Sequence, residues 1–322
     1  MTVVGFHASH EQVSPQSLLR AVGRAEEAGF QAAMCSDHLA PWSVRQGESG
    51  YAWSWLGAAL QATSLPFGVV TAPVQRYHPA VVAQAVATLG AMFPDRFWAA
   101  LGSGEASNEH VTGDRWPSKP VRDLRLREAA DVMRRLLRGE EVSHDGHVRV
   151  DRAKVWSRPP VPPPLLAAAV GPGTARAAAE WADGLITVDQ DREQLRRVRD
   201  AYREAGGRGP FAVQVHLSWA PTRDEALAIA HDQWRHGVIT PPATWDLAFP
   251  EEFDARSADA TPEDVARVVQ VSADPAEHLD RLLELVALGA DRIYLHHVGV
   301  EQDAFLDRFG ADVVPTLAEA SR

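Results

Sequence analysis

The chain has 322 residues, of which 45% are hydrophobic and 23% charged, and its formal net charge is −11. That acidic balance argues against a nucleic-acid surface built on phosphate contacts, and a lone cysteine, Cys35, excludes a disulfide framework within the chain. With no signal-peptide pattern and no run of about 18 apolar residues, no membrane partner is expected, and the sequence reads as a cytoplasmic enzyme with one large core.

Short apolar runs alternate with helical patterns along the whole chain. Residues 2–8 (TVVGFHA) read as a strand, followed by a helix that Ser14 caps, Pro15 opens and Gly29 ends. Residues 31–37 form a second apolar run, 54–63 a helix, 66–73 a strand, 79–93 a helix, 96–104 a strand and 122–139 a helix. Asp145-Gly146 inside 142–150 predicts a hairpin, and RPPVPPP at 158–164 a stiff connector. Strands then recur at LLAAAV (165–170), DGLITV (183–188), FAVQVHLSWA (211–220) and DRIYLHHV (291–298), with an irregular insertion at 237–260 and a helix pair across 261–289. Eight strand–helix units without a break predict a single (β/α)8 TIM barrel over 1–322, with insertions near 39–53, 105–121, 140–162 and 237–260.

In such a barrel the chemistry lies at the C-terminal ends of the strands. The polar residues there are His7 and His10; Asp37 and His38; Thr71; Ser103, Glu105 and Asn108; Thr187 and Asp189; and His296 and His297. Taken singly, each has an ordinary structural explanation as a satisfied histidine or a helix cap. What singles out the mouth is the convergence of His38, Trp42 and Glu105 with the turn from Gly171 to Gly173, which opens a helix whose free N–H groups suit a phosphate. A histidine can accept a hydroxyl proton near neutral pH, a carboxyl of raised pKa can donate one, and an indole can wall off water. Phe6, Trp42, Trp53 and Trp219 suggest an aromatic lining.

The stretches SDHLAPW (36–42), VVTAPVQRYHPAVVAQAVATL (69–89), FPDRFWAALGSGEASNEHVTG (93–113) and EWADGLITV (180–188) together resemble the luciferase-like oxidoreductases. The branch they resemble most is that of the dehydrogenases of glucose 6-phosphate that use the deazaflavin F420. The resemblance spans nearly the whole chain. It implies a (β/α)8 barrel carrying F420 or FMN across its mouth, a small-molecule substrate and a homodimer. Residue by residue it implies His38 as base, Trp42 over the reacting centre and Glu105 as the acid beside the ring. Asp37, Gly104 and Asn108 are implied as cofactor contacts. Val69, Val70 and Thr71 match the strand that carries a non-prolyl cis bulge behind the ring, a bond costing roughly 3 kcal/mol. Gly171, Pro172, Gly173 and Thr174 match the turn that holds the cofactor phosphate, and Thr187 and Trp53 are expected at the substrate.

Two departures matter. Gln190 stands where the sugar-phosphate enzymes carry a phosphate-binding lysine, and 237–260 contains no lysine at all; glucose 6-phosphate is therefore not the expected substrate. The stretches GFHASHEQ (5–12) and RQGESGYAWSWLGAALQAT (45–63) resemble a subgroup that uses an ordinary flavin. An FMN monooxygenase is accordingly the alternative. From another class, a metal-dependent barrel hydrolase is a rival, since His7, His10, His38, His110, His296 and His297 all fall at or just after strand exits. Metal ligands are not expected, because no H-E-x-x-H pattern is present.

Overall fold

The computed structural model describes residues 2–320. Its strands in chain order are β1 Val3–Ala8, β2 Ala32–Ser36, β3 Phe67–Thr71, β4 Phe97–Leu101, β5 Val142–Asp145, β6 Arg149–Ala153, β7 Leu165–Ala168, β8 Leu185–Val188, β9 Phe211–Trp219, β10 Gln270–Ser272 and β11 Arg292–His297. Eight of them, in the order β1-β2-β3-β4-β7-β8-β9-β11, pair in parallel, and β11 closes on β1 through Val3↔Arg292 and Phe6↔Leu295. This is the expected (β/α)8 barrel, and every strand read from the sequence is in it. The hairpin β5–β6 lies outside it, antiparallel, at the Asp-Gly signal. The stretch 261–289 departs from the expected helix pair. It holds a short helix, Pro262–Val265, then β10, which extends the sheet beside the end of β9, and then the helix Pro275–Leu288. Three residues of strand are too short a run to show a period. The insertion at 237–260 also gains order, with short helices at Ala243–Asp246 and Pro250–Arg256.

Each strand splits its side chains between two buried faces, so hydrophobicity alone does not mark inside from outside. Val4, Phe6, Ala33, Cys35, Phe67, Val69, Val213 and Ile293 pack against the helices. Ala32, Met34, Trp98, Ala100, Ile186, Ala212 and Tyr294, with Val70, fill the barrel interior. Phe6 and Trp219 therefore belong to the helix layer, meeting Phe30 and Phe309, and do not line the mouth. The expected cis bulge in β3 is absent: the cis bond among the described residues is Pro241–Pro242, and β3 keeps unbroken register with β2 and β4 through Val69 and Val70.

Trp98 and Tyr294 plug the interior with ring centroids 5.8 Å apart. Two glycines make room for them. A Cβ on Gly68 would fall 1.9 Å from the Trp98 ring, and one on Gly5 2.3 Å from that of Tyr294. Above this plug the inward positions turn polar: Gln214 and His216 on β9, His7 on β1 and His296 on β11. His7 and His296 stack at 4.4 Å, and the ring nitrogens of His296 reach Gln12 Oε1 at 2.8 Å and Gln214 Nε2 at 3.4 Å.

Candidate active site

The alternation that puts Met34 inside carries Ser36 and His38 to the same side and turns Asp37 away. His38 Nδ1 lies 2.6 Å from Glu11 Oε1, and its Nε2 lies 3.7 Å from Glu105 Oε2. Glu11 comes from the turn after β1, where Ser9 Oγ donates to its other oxygen at 2.7 Å. Its side chain is 2% exposed, against 15% for His38 and 25% for Glu105. Burial pushes the Glu11 carboxyl up, but the charge of His38 and the Ser9 hydroxyl outweigh it and hold the group far below the usual carboxylate range. Burial likewise disfavours the His38 imidazolium, and the Glu11 carboxylate outweighs it, raising the histidine above its ordinary value. Glu105 is moved up chiefly by burial, against the pull of His38. One imidazole thus stands between an ionised acid and one biased toward its neutral form.

Trp42 packs edge-on to His38, at 5.1 Å and 87°. It is held from behind by Phe253 at 5.4 Å, and its backbone N–H donates to Gln46 Oε1 at 2.8 Å. Glu105 precedes a short helix, Ala106–Glu109, and follows Gly104, whose φ of +79° suits glycine and whose added Cβ would meet Glu109 and Val74 at 3.1 Å. Asn108 ties two loops: its Oδ1 accepts from the Leu39 N–H at 2.7 Å and its Nδ2 donates to Glu105 at 3.2 Å. Its amide thereby braces the reaction residues.

Three of the expected residues lie in packed, hydrogen-bonded or core surroundings. The Asp37 side chain is fully buried and engaged: Thr71 Oγ1 and Trp53 Nε1 donate to Oδ2 at 2.8 and 2.9 Å, Tyr77 donates to Oδ1 at 3.2 Å, and Arg76 lies 3.4 Å away. It braces the loop beneath the mouth, and the partner of His38 is Glu11. Trp53 spends its indole N–H on Asp37, and so is a prop for that acid. Val69 is 0% exposed in the helix-facing core, which leaves Val70 as the inward residue of the pair. Thr187 is buried and accepts from Gln190 Nε2 at 3.3 Å. Gly171, Pro172, Gly173 and Thr174 form the open turn at the start of the helix Pro172–Ala178; a Cβ on either glycine would meet nothing within 4 Å. Three arginines near the mouth are matched: Arg76 donates to the Asp37 carbonyl at 2.7 Å, Arg122 faces Asp246 at 3.4 Å over the Trp116 ring, and Arg45 pairs with Asp254 at 2.8 Å. Among the described residues, no group of three or more His, Cys, Asp or Glu side chains is arranged to hold a metal ion.

Glu11 is the residue that the sequence reading missed. Its only signal was an acid directly after the histidines of the first strand exit.

The sequence model of the luciferase-like monooxygenase family matches residues 1–292. The chain belongs to that family, and is an oxidoreductase. It is 37% identical, over 98% of its length and 99% of the relative's, to an F420-dependent glucose-6-phosphate dehydrogenase of Intrasporangium calvum. Over 98% of the chain and 97% of the relative it is 33% identical to the enzyme of that name from Mycobacterium tuberculosis. Among solved structures it is similar to an F420-dependent secondary alcohol dehydrogenase in complex with an F420-acetone adduct, with a TM-score of 0.91, 30% identity, and coverage of 100% and 99% of the two chains. The FMN complex of the oxygenating component of 3,6-diketocamphane monooxygenase from Pseudomonas putida shares the fold, at a TM-score of 0.70, 18% identity and 98% coverage of each chain.

Proposed function

We propose that the protein is an F420-dependent oxidoreductase that acts at the alcohol or carbonyl carbon of a small organic substrate other than glucose 6-phosphate. The observation that carries the reading is the clasped histidine: Nδ1 of His38 faces Glu11, which leaves Nε2 as the nitrogen on the Glu105 side of the ring. A carboxylate 2.6 Å away keeps a proton on Nδ1 and stabilises the imidazolium once Nε2 has taken the substrate's hydroxyl proton. Bound F420 would supply the two-electron acceptor for the hydride, while His38 would hold the hydroxyl proton and leave the substrate as its carbonyl. Glu105 would hold a proton near the ring, and Trp42 excludes water from the same space.

The turn 171–174 suits a cofactor phosphate, since its two glycines leave the backbone open to close approach. Val70, inward on β3, and Gly104 would lie along the ring. F420 is favoured over FMN because relatives matched over nearly the whole chain at 37% and 33% identity, and the structural neighbour at 30%, bear that cofactor in their names. Glucose 6-phosphate is disfavoured by Gln190, which is bonded to Val170 and Thr187, and by the scarcity of lysine. Of the two in the chain, Lys119 pairs with Asp123 and Lys154 lies over the exposed Trp156.

Anaerobic titration of the purified protein with F420 and with FMN, followed by fluorescence, tests the cofactor. Tighter binding of F420 is expected; saturable FMN binding with oxygen consumption under air would replace this reading by the monooxygenase one. His38→Ala should lower alcohol-dependent F420 reduction at least ~100-fold, the usual scale of general-base loss, with little change in F420 affinity. Equal turnover would remove His38 from the base role.

A further inference from the structure

We propose that Glu109 is a positioning residue: with Arg76 it forms a proton-controlled latch between the turn that carries Glu105 and the loop after β3. Glu109 ends the short helix Ala106–Glu109 and takes no part in the clasp around His38. It is 0% exposed. Its Oε2 accepts from the Arg76 backbone N–H at 2.5 Å, and its carbonyl accepts from Gln75 Nε2 at 3.2 Å, so it joins the exit of β4 to that of β3. It also packs on its own turn, since a Cβ added to Gly104 would stand 3.1 Å from Glu109 Cγ.

The two residues that meet in this bond also leave two buried atoms over. Glu109 Oε1 and Arg76 Nε have no hydrogen-bond partner among the described residues, and one is an acceptor where the other is a donor. The Arg76 guanidinium is committed elsewhere: Nη2 donates to the Asp37 carbonyl at 2.7 Å and lies 3.4 Å from the Asp37 carboxyl. An unmatched oxygen costs far less on a neutral carboxylic acid than on a carboxylate. The geometry is therefore that of a protonated Glu109, and burial pushes its pKa up to about 7, against the pull of Arg76. The charged groups that face it are Arg76 and Asp37 from the neighbouring exits and Glu105 from its own turn, and both acids add to the rise. Glu105 and Glu109 thus resist ionising together. Once Glu109 ionises, Arg76 Nε is the uncommitted donor at hand, and turning the guanidinium toward Oε1 draws it off the Asp37 carbonyl. The proton on Glu109 is coupled in this way to the backbone beside His38 and to the turn that holds Glu105.

The test follows the carbonyl stretch of protonated carboxylic acids by difference infrared spectroscopy of the cofactor-free protein across a pH series. It compares wild type with Glu109→Gln, which copies the neutral acid, and with Glu105→Gln. Wild type should lose an acid band with a midpoint near 7. The band should be missing in Glu109→Gln and should titrate at lower pH in Glu105→Gln. In 15N-arginine NMR the Arg76 Nε–H resonance, assigned with Arg76→Lys, should move with the same midpoint in wild type and stay fixed in Glu109→Gln. F420 affinity, followed by fluorescence, should weaken above that midpoint by up to ~10-fold per pH unit, the limit for one linked proton, and more steeply in wild type than in Glu109→Gln. Should Glu109→Gln fail to fold, the wild-type band, its shift in Glu105→Gln and the Arg76 resonance carry the test. No acid band titrating near neutral pH, or a band that survives in Glu109→Gln, overturns the proton on Glu109. An Arg76 resonance that does not follow the band overturns the latch. A wild type that binds no F420 counts against the cofactor reading alone, and the infrared and NMR results then decide the latch.

Discussion

The neighbours of one imidazole fix its reactivity. Because Glu11 supplies the charge that lifts His38 above its ordinary pKa against burial, replacing that charge should lower the histidine's pKa again. In Glu11→Gln the acidic limb of kcat/KM for alcohol oxidation, which reports the loss of the base form on protonation, should move to lower pH. The plateau should fall by roughly 10-fold or more as the imidazolium loses its stabilising partner. A pH–rate profile unchanged in position would separate Glu11 from the chemistry. His38, Trp42 and Glu105 were legible because they sit in dense, family-specific stretches. The parity that sends His38 inward and Asp37 outward was not, because both faces of a barrel strand are buried and an apolar run such as AAMCS carries no alternation to read. Glu11 was hidden for a different reason. It lies beyond the strand, in a loop whose course depends on contacts made across the mouth.

At the level of elements, two strand glycines are tied to two interior aromatics. Gly68→Ala would set a methyl group 1.9 Å from the Trp98 ring, with a bulky Tyr294 behind it, and should cost about 1–3 kcal/mol by urea denaturation. Adding Trp98→Leu should recover part of that loss. If Gly68→Ala unfolds at the wild-type midpoint, the close approach does not hold β3 and β4 together as described. All eight barrel strands were legible from apolar runs between helix signals, Ser14 and Pro15 at a start and Gly29 at a stop among them. The three-residue β10 and the helices of 243–256 were not. Such short pieces take their form from the packing of Phe253 and Val271 onto neighbours distant in sequence, which local pattern does not encode.

Over the whole molecule the buried histidines dominate the response to acid. His10, His216, His278 and His297 are held by burial to about 4, and His7 and His236 to about 3. These values lie below the unfolded one near 6.5, so the folded chain refuses protons that the unfolded chain accepts. The stability they contribute is complete above pH 6.5 and drains away as pH falls toward 4. Unfolding free energy from urea titrations should therefore drop by several kcal/mol, on the order of one per pH unit for each responsive histidine, between pH 6.5 and 5. A flat profile over that window would mean these rings are already solvated or charged in the native state. Of these rings, His7 and His216 stand in the upper half of the barrel interior, so part of the acid sensitivity is the cost of building that layer from imidazole and amide groups. The lower half has another consequence. With Trp98 and Tyr294 filling the axis, the barrel has a floor, and reactants share one doorway for arrival and departure.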